Sequence, residues 1–530
     1  MKAKRWLISF FILLAALFAC AAALVIYVDP FFHYHAPHAD KFFYTIDNQR
    51  SVNDGIVKHF DYDAMITGSS MTVNFDTSEL DELFGTSSIK VPASGASYYE
   101  IDGLISTAFE HNPELRYVFR SIDRNLLIYG SNTRRDELGE FPDYLYDDNI
   151  FNDYKYLFNA DVLFNRTLKM LSDTRQPGFY PGHTGFDDYS NTMEDYAGSF
   201  GLESLGSMFN YELGTVGQPQ HLSEELKAVV AENVRQNIVA TAQAHPEATF
   251  YYFLPPYSLA YWHDKVASGE IYAQFEAEQI AIELMLQCAN IKVFDFSART
   301  DIISDVNNYR DLLHYGDWIN SFMLKWMREG ECLLTEDNYR AHLESQFEYY
   351  TTYDYSRLLA QERYNCDYYA AALLNEELCG TAPRSISEQE LLAGELRSAE
   401  LEADPDSGGL VLKCSGTLGR DPAQELGAFL LHQDYAGLKL SLPDAGDYSY
   451  LCFKGRNTGF NGQPTVYAYD GSGNVISSVE MKYHELEGGW QQFALDLRDA
   501  GGAVIIFNGA YTDYTGHPAS SFEFKDIKLY

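Results

Sequence analysis

The sequence predicts an α/β domain on a mostly parallel sheet, followed by a helical connector and an all-β sandwich of the jelly-roll kind. Three observations carry this. Strand-like and helix-like runs alternate from about 29 to 330, a Tyr-rich helical stretch covers 331–400, and short alternating runs fill 401–530. A chain of 530 residues is too long for one core, so several units are expected.

The chain opens with Lys2, Lys4 and Arg5, then an uncharged, mostly apolar stretch from Trp6 to Val28 closed by Asp29. That length spans a bilayer as a helix. With the basic residues ahead of it, the N-terminus is expected to stay cytoplasmic and everything after residue 28 to face outward, as a single-pass cell-membrane protein. Leu17-Phe18-Ala19-Cys20 is a poor lipoprotein cleavage box, because Phe18 sits where a smaller residue is wanted and the apolar run continues past Cys20. An uncleaved anchor is therefore expected.

In the body, Ala64–Gly68 reads as a buried strand ending in a Gly turn, Ile89–Pro92 as a second strand and Tyr117–Ile122 as a third, with Tyr98–Glu110 at helical spacing. Residues 130–220 are rich in Asp, Asn, Tyr and Gly and read as an insertion of the kind that shapes a cleft. Ser223 caps a helix reaching Ala244, Thr249–Leu254 is a strand before Pro255-Pro256, and Ala273–Cys288 is a helix leading into the strand Lys292–Phe296. Beyond residue 400, Leu410–Lys413, Leu438–Leu442, Tyr448–Phe453, Ala503–Phe507 and Phe522–Tyr530 read as sandwich strands.

Composition excludes some classes of function. Lys and Arg total 38 against 76 Asp and Glu, a formal charge of −38, which repels phosphate backbones and excludes nucleic acid as a partner. The 40 Tyr and 34 Phe supply burial that a disordered chain lacks. No CxxC occurs among the seven cysteines, so no zinc ribbon is expected; Cys366 with Cys379 and Cys414 with Cys452 are local disulfide candidates, with buried thiols the alternative. His33, His35 and His38 read as interfacial residues beside the membrane, and Asp143, Asp147 and Asp148 as solvated loop acids that lack the glycine-containing pattern of a calcium loop.

Three blocks carry chemistry. Gly68-Ser69-Ser70 lies where a strand ends, so a serine there projects into a cleft and the following amides can hold an oxyanion. Ala93-Ser94-Gly95-Ala96-Ser97 follows the next strand, and a glycine at such a bend brings its N–H close to a substrate oxygen. Asp311-Leu312-Leu313-His314 arrives late in the α/β body. An Asp and a His three apart are expected on one side of a helical turn, where the Asp fixes the His tautomer and the His takes the serine proton.

This set, from about Asp61 to Lys325, resembles the SGNH/GDSL hydrolase superfamily, with Ser69 in place of the usual Asp of its first block. The resemblance implies a flavodoxin-like three-layer domain, with Ser70 as nucleophile, His314 as base, Asp311 as its orienter, and Ser70 and Gly95 as oxyanion donors. The family's remaining block, Gly-x-Asn, corresponds here to Ser121-Ile122-Asp123. An ionised Asp123 cannot donate, so Asn125 is the alternative donor.

Anchored members with Gly-Ser-Ser resemble the alginate acetyltransferase and teichoic-acid D-alanylation proteins. The expectation is therefore a serine-dependent O-acyltransferase or esterase acting on a cell-envelope or secreted polysaccharide, without cofactor or metal, and served by a multi-span acyl-exporting partner. The sandwich resembles appended carbohydrate-binding jelly rolls, with Trp490, Tyr511 and Tyr514 as candidate sugar-stacking residues and burial in the core as their competing role. The rival reading is a non-catalytic surface glycan-binding protein that keeps the α/β domain as a degenerate scaffold.

Overall fold

The computed structural model describes residues 2–530 except 189–199, 207–209, 360, 362–363, 367–382, 398, 406–407, 415–436, 445–446, 458–464, 471–474, 481–489, 498–502 and 509–520. Helix α1 runs Lys2–Val28, and its Ala3–Val28 stretch is the one helix among the described residues long and apolar enough to cross a membrane.

The α/β part is organised on six strands: β1 (Ala64–Gly68), β2 (Ser88–Pro92), β3 (Tyr117–Ser121), β4 (Thr249–Leu254), β5 (Ile291–Asp295) and β6 (Leu333–Leu334). Their order is β2-β1-β3-β4-β5-β6; the first five are parallel and β6 is antiparallel to β5. The strands are near-continuous apolar runs because both faces are covered. Met65, Val118, Phe250, Tyr252 and Val293 join one core with helices Tyr98–His111 and Ile271–Leu286. Their neighbours Ile66, Phe119, Tyr251, Phe253 and Phe294 join the other with Thr77–Phe84, Leu259–Ser268 and Trp318–Glu329. The period-two alternation of a strand thus distributes one sequence run between two cores.

Local signals set the helix starts. Ser97 and Glu100 form a reciprocal capping box, and the Ser223 hydroxyl accepts from the Leu226 N–H at 3.2 Å. The Tyr-rich stretch after 330 also packs on the α/β part: helix Tyr339–Thr352 lays Tyr350 flat on Trp262 of helix Leu259–Ser268 at 4.1 Å.

The C-terminal part is an antiparallel β-sandwich. One sheet is built on Ala399–Ala403, Leu410–Cys414, Ser521–Leu529, Tyr450–Asn457 and Trp490–Asp496, the other on Gly437–Leu442, Ala503–Asn508, Thr465–Tyr469 and Val475–Glu480. Leu412, Leu440, Phe453, Val466, Ile505, Phe522 and Phe524 fill the space between. The ladder keeps Cys414 and Cys452 apart. Cys452 lies opposite Lys528 and Lys413 opposite Ser521, so the two cysteines sit toward opposite ends of the strand that separates them. Cys379 lies outside the described residues.

Candidate active site

The site is assembled from turns that follow the carboxyl ends of parallel strands. β1 ends at Gly68, whose φ is 144°. A Cβ there would lie 2.3 Å from Ser121 Oγ and 2.9 Å from Thr72 Cγ2, so only glycine lets the end of β1 approach β3 this closely. The Ser69 hydroxyl accepts from the Met71 N–H at 3.2 Å and opens a single tight turn, Ser70–Thr72, that carries Ser70 out of the sheet. On the neighbouring strand, the Ala93 N–H donates to the Gly68 carbonyl at 2.7 Å, and Gly95 follows in the left-handed region with φ 73°.

The third block does not lie on a helix. Residues 310–314 form a bend closed by the Tyr309–Tyr315 bridge. The reason is local: Asp311 Oδ1 accepts from the backbone N–H of Leu313 (2.9 Å) and of His314 (2.8 Å), giving these amides an alternative to helical carbonyls. The loop after β4 fixes the bend, because Ser258 donates to the Leu312 carbonyl from its N–H at 3.2 Å and its hydroxyl at 2.8 Å.

These turns bring three side chains into line. Ser70 Oγ is 2.7 Å from His314 Nε2, and His314 Nδ1 is 2.7 Å from Asp311 Oδ2. With the carboxylate at Nδ1, the ring carries its proton there and Nε2 accepts from the serine hydroxyl. Burial pushes the Asp311 carboxyl up, but the His314 hydrogen bond and charge, with the two backbone amides, outweigh it and hold the group below its ordinary value. Asp311 is therefore an anion at neutral pH.

Asp123, assigned by the sequence to the oxyanion position, is buried and committed elsewhere. Its carboxylate accepts from Ser121 Oγ at 2.8 Å and Tyr257 Oη at 3.0 Å. Burial raises its pKa against the hydrogen bonds of Ser121, Ser69 and Tyr257. Ser121 Oγ in turn accepts from the Ser69 N–H at 3.3 Å, so Asp123 braces the turn that carries Ser70. Asn125 stands on the cleft wall, its Oδ1 accepting from Tyr261 Oη at 2.8 Å. The cleft, about 760 Å³, is lined by His314, Asp311, Asn125, Tyr261, Tyr211 and Asp264, among others. Tyr211 comes from the 130–220 insertion, which is tied down where the Ser204 hydroxyl donates to the Arg310 carbonyl at 2.7 Å.

Sequence reasoning missed Tyr257 and Arg124, and the part Ser121 plays between Asp123 and Ser69. The fully buried Arg124 guanidinium donates to the Pro255 carbonyl, Asp295 Oδ1 and Ser297 Oγ, each at 2.6 Å, and Asp295 Oδ2 also pairs with His342 at 2.8 Å. The network clamps the turn after β3 to those after β4 and β5. An arginine directly after a strand end in a parallel sheet was the available signal, since a buried guanidinium demands carboxylate partners.

Trp490, for which the sequence left open both sugar stacking and a place in the core, is only 2% exposed, with Lys525 Nζ 4.1 Å and Arg456 Cζ 4.7 Å from its ring centroid. Tyr511 and Tyr514 lie outside the described residues. His33 pairs with Asp153 at 3.5 Å, and the ring nitrogens of His35 reach the carbonyls of Ala36 and Ile26. No group of three metal-ligating side chains occurs among the described residues.

No family model matches the chain, and no curated protein matches it. Solved structures similar to part of it include carbohydrate-binding modules. The family 11 module of the cellulase Lic26A-Cel5E of Clostridium thermocellum is 14% identical, over 28% of this chain and 85% of that one, with a TM-score of 0.17. CsCBM6-3 of Clostridium stercorarium, solved with cellobiose, is 11% identical, over 27% and 90%, with a TM-score of 0.18. CBM6cm-2 of the Cellvibrio mixtus lichenase 5A, solved with cellotriose, is 15% identical, over 28% and 95%, with a TM-score of 0.17. At these scores the sugars bound by those modules imply no ligand for this chain.

Proposed function

We propose that the chain is a membrane-anchored serine acyl-transfer enzyme of the SGNH type, an O-acyltransferase or esterase that acts on a cell-envelope or secreted polysaccharide. The observation that carries it is the unbroken line Ser70–His314–Asp311, with both links at 2.7 Å. The strand order supports the same reading: numbered along the chain, the parallel strands run 2-1-3-4-5, the flavodoxin-like order, with Ser70 and His314 beyond their carboxyl ends.

In the proposed mechanism Ser70 Oγ attacks the carbonyl carbon of an O-acyl ester while its proton passes to His314 Nε2. Asp311 stabilises the imidazolium that forms. The oxyanion takes hydrogen bonds from the Ser70 and Gly95 N–H groups, with the Asn125 amide as third donor. Collapse breaks the ester bond, and the departing alkoxide takes the proton from His314. The acyl group then passes from Ser70 to water or to a sugar hydroxyl, which His314 deprotonates in turn. No cofactor is required. The cleft's Tyr261, Tyr211, Asn125 and Asp264 offer ring faces and hydrogen-bonding groups suited to a polyhydroxylated substrate. α1 would hold the enzyme outside the membrane, where a multi-span partner could deliver acyl groups and the sandwich could meet polymer.

Asp123 was the feature favouring a degenerate scaffold, and its bracing of the Ser70 turn accounts for a carboxylate at that position. The test is labelling of the full-length protein with a fluorophosphonate, wild type beside Ser70→Ala. Labelling lost in the variant supports the reading, and a wild type that stays unlabelled while folded overturns it.

A further inference from the structure

The segment 150–168, inside the insertion, carries an unusual run of exposed apolar side chains. Ile150 is 72% exposed, Phe151 85%, Phe158 43%, Phe164 60% and Leu168 39%. A water-soluble surface seldom gathers so many large apolar groups in one short stretch.

Its neighbour is α1. The Phe158 ring packs edge-on against Phe18 at 5.2 Å, and Leu157 and Leu163 share a core with Val25 and Val28 at the end of α1. The junction is rigid. Immediately after α1, Asp29 turns the chain with φ 49°, and its carboxylate accepts from the N–H groups of His33 (3.0 Å), Tyr34 (2.7 Å) and His35 (3.0 Å) and from Tyr156 Oη (2.8 Å). Tyr156 belongs to the same exposed segment and also accepts from the Phe31 N–H at 3.2 Å. The helix and the segment are thus fastened together.

That fastening sets a depth. A spanning helix keeps about 20 residues in the hydrocarbon layer. Whichever 20 or so of the 26 residues from Ala3 to Val28 are used, Phe18 is among them. At a rise of 1.5 Å per residue it lies roughly 6 to 15 Å below the outer boundary of that layer. Phe158, in ring contact with Phe18, lies at a similar depth. Three polar groups of the segment, Asp161, Asn165 and Arg166, line a pocket with Asp47, to which Arg166 is paired at 2.6 Å.

We propose that residues 150–168 dip into the outer leaflet beside α1, with Phe151, Phe158 and Phe164 among the acyl chains, so that the α/β domain is seated on the bilayer rather than tethered above it. This rests on the reading of α1 as a membrane anchor. The occupant of the apolar face is lipid, because the face is continuous with the helix surface that lipid must cover.

The test uses the full chain reconstituted in phosphatidylcholine nanodiscs. Phe164→p-benzoylphenylalanine and Phe151→p-benzoylphenylalanine are irradiated beside the same replacement at Phe11, within α1, and at Leu396, an exposed sandwich position. The expected result is a mass increase of one phosphatidylcholine at 164, 151 and 11 and none at 396. A lipid adduct at 11 without one at 164 and 151 overturns the dipping segment and leaves the anchor standing. No adduct at any position overturns both. Cross-linking of 164 to another protein chain in place of lipid also overturns the proposal.

Discussion

Ser70 and His314 are 244 residues apart in the chain, yet Ser70 Oγ and His314 Nε2 are separated by 2.7 Å. The pair is closed by two short turns, Ser70–Thr72 after β1 and the bend 310–314, each with its own hydrogen-bonded support.

Asp311 bonds to the His314 ring and to the His314 backbone amide with different oxygens. Asp311→Asn keeps the shape but can favour the wrong tautomer. It is expected to lower kcat for an acetyl ester such as p-nitrophenyl acetate by about 10³- to 10⁴-fold with little change in thermal midpoint. A loss below about tenfold would remove Asp311 from the catalytic line.

Gly68→Ala tests the packing that aims Ser70. The added Cβ would meet Ser121 Oγ at 2.3 Å, and the φ of 144° disfavours any side chain. The expected outcome is a loss of about 1 to 3 kcal/mol in denaturant unfolding, together with slowed fluorophosphonate labelling of Ser70. Normal labelling in the variant would show that this contact does not set the serine.

Asp102 provides a pH dependence separable from catalysis. Burial raises its carboxyl from 3.8 to about 6, although Arg120 and Thr241 pull it down. Between these values the folded protein holds a proton that the unfolded chain has released. Stability should therefore fall as pH rises from about 4 to 6, by roughly 3 kcal/mol. Asp102→Asn should flatten that part of a thermal-midpoint profile; an unchanged slope would exclude Asp102 as its source.

Trp490 is expected to behave as a core residue of the sandwich. Trp490→Ala should cost about 3 to 5 kcal/mol, read as a lowered unfolding midpoint. A variant of wild-type stability would argue that the ring is available for a ligand after all.

How far the sequence could be read follows from the range of the interactions. β1, β3 and β4 were legible because a parallel strand buried on both faces is mostly apolar. The Ser223 cap was legible because a cap is completed within a few residues. The bend at Asp311–His314 was misjudged, because a spacing of three suits both a helical turn and an Asp that captures the amides ahead of it. Asp123 looked like a defective oxyanion donor because only its neighbours Ser121 and Tyr257 show what its carboxylate does. The role of Trp490 stayed open between sugar stacking and the core because nothing in its own strand announces Lys525 and Arg456.

The sequence by itself determined the apolar N-terminal helix, the alternation of strands and helices, and the order in which Gly68-Ser69-Ser70 and Asp311-x-x-His314 arrive. All of these rest on periodicity, capping and local hydrogen bonds. Only the tertiary structure decided that Ser70 meets His314, that Asp123 braces the Ser70 turn, and that Phe158 lies against Phe18. Each joins residues tens to hundreds of positions apart, and such contacts exist only once the chain has paid the entropy of closing the loops between them.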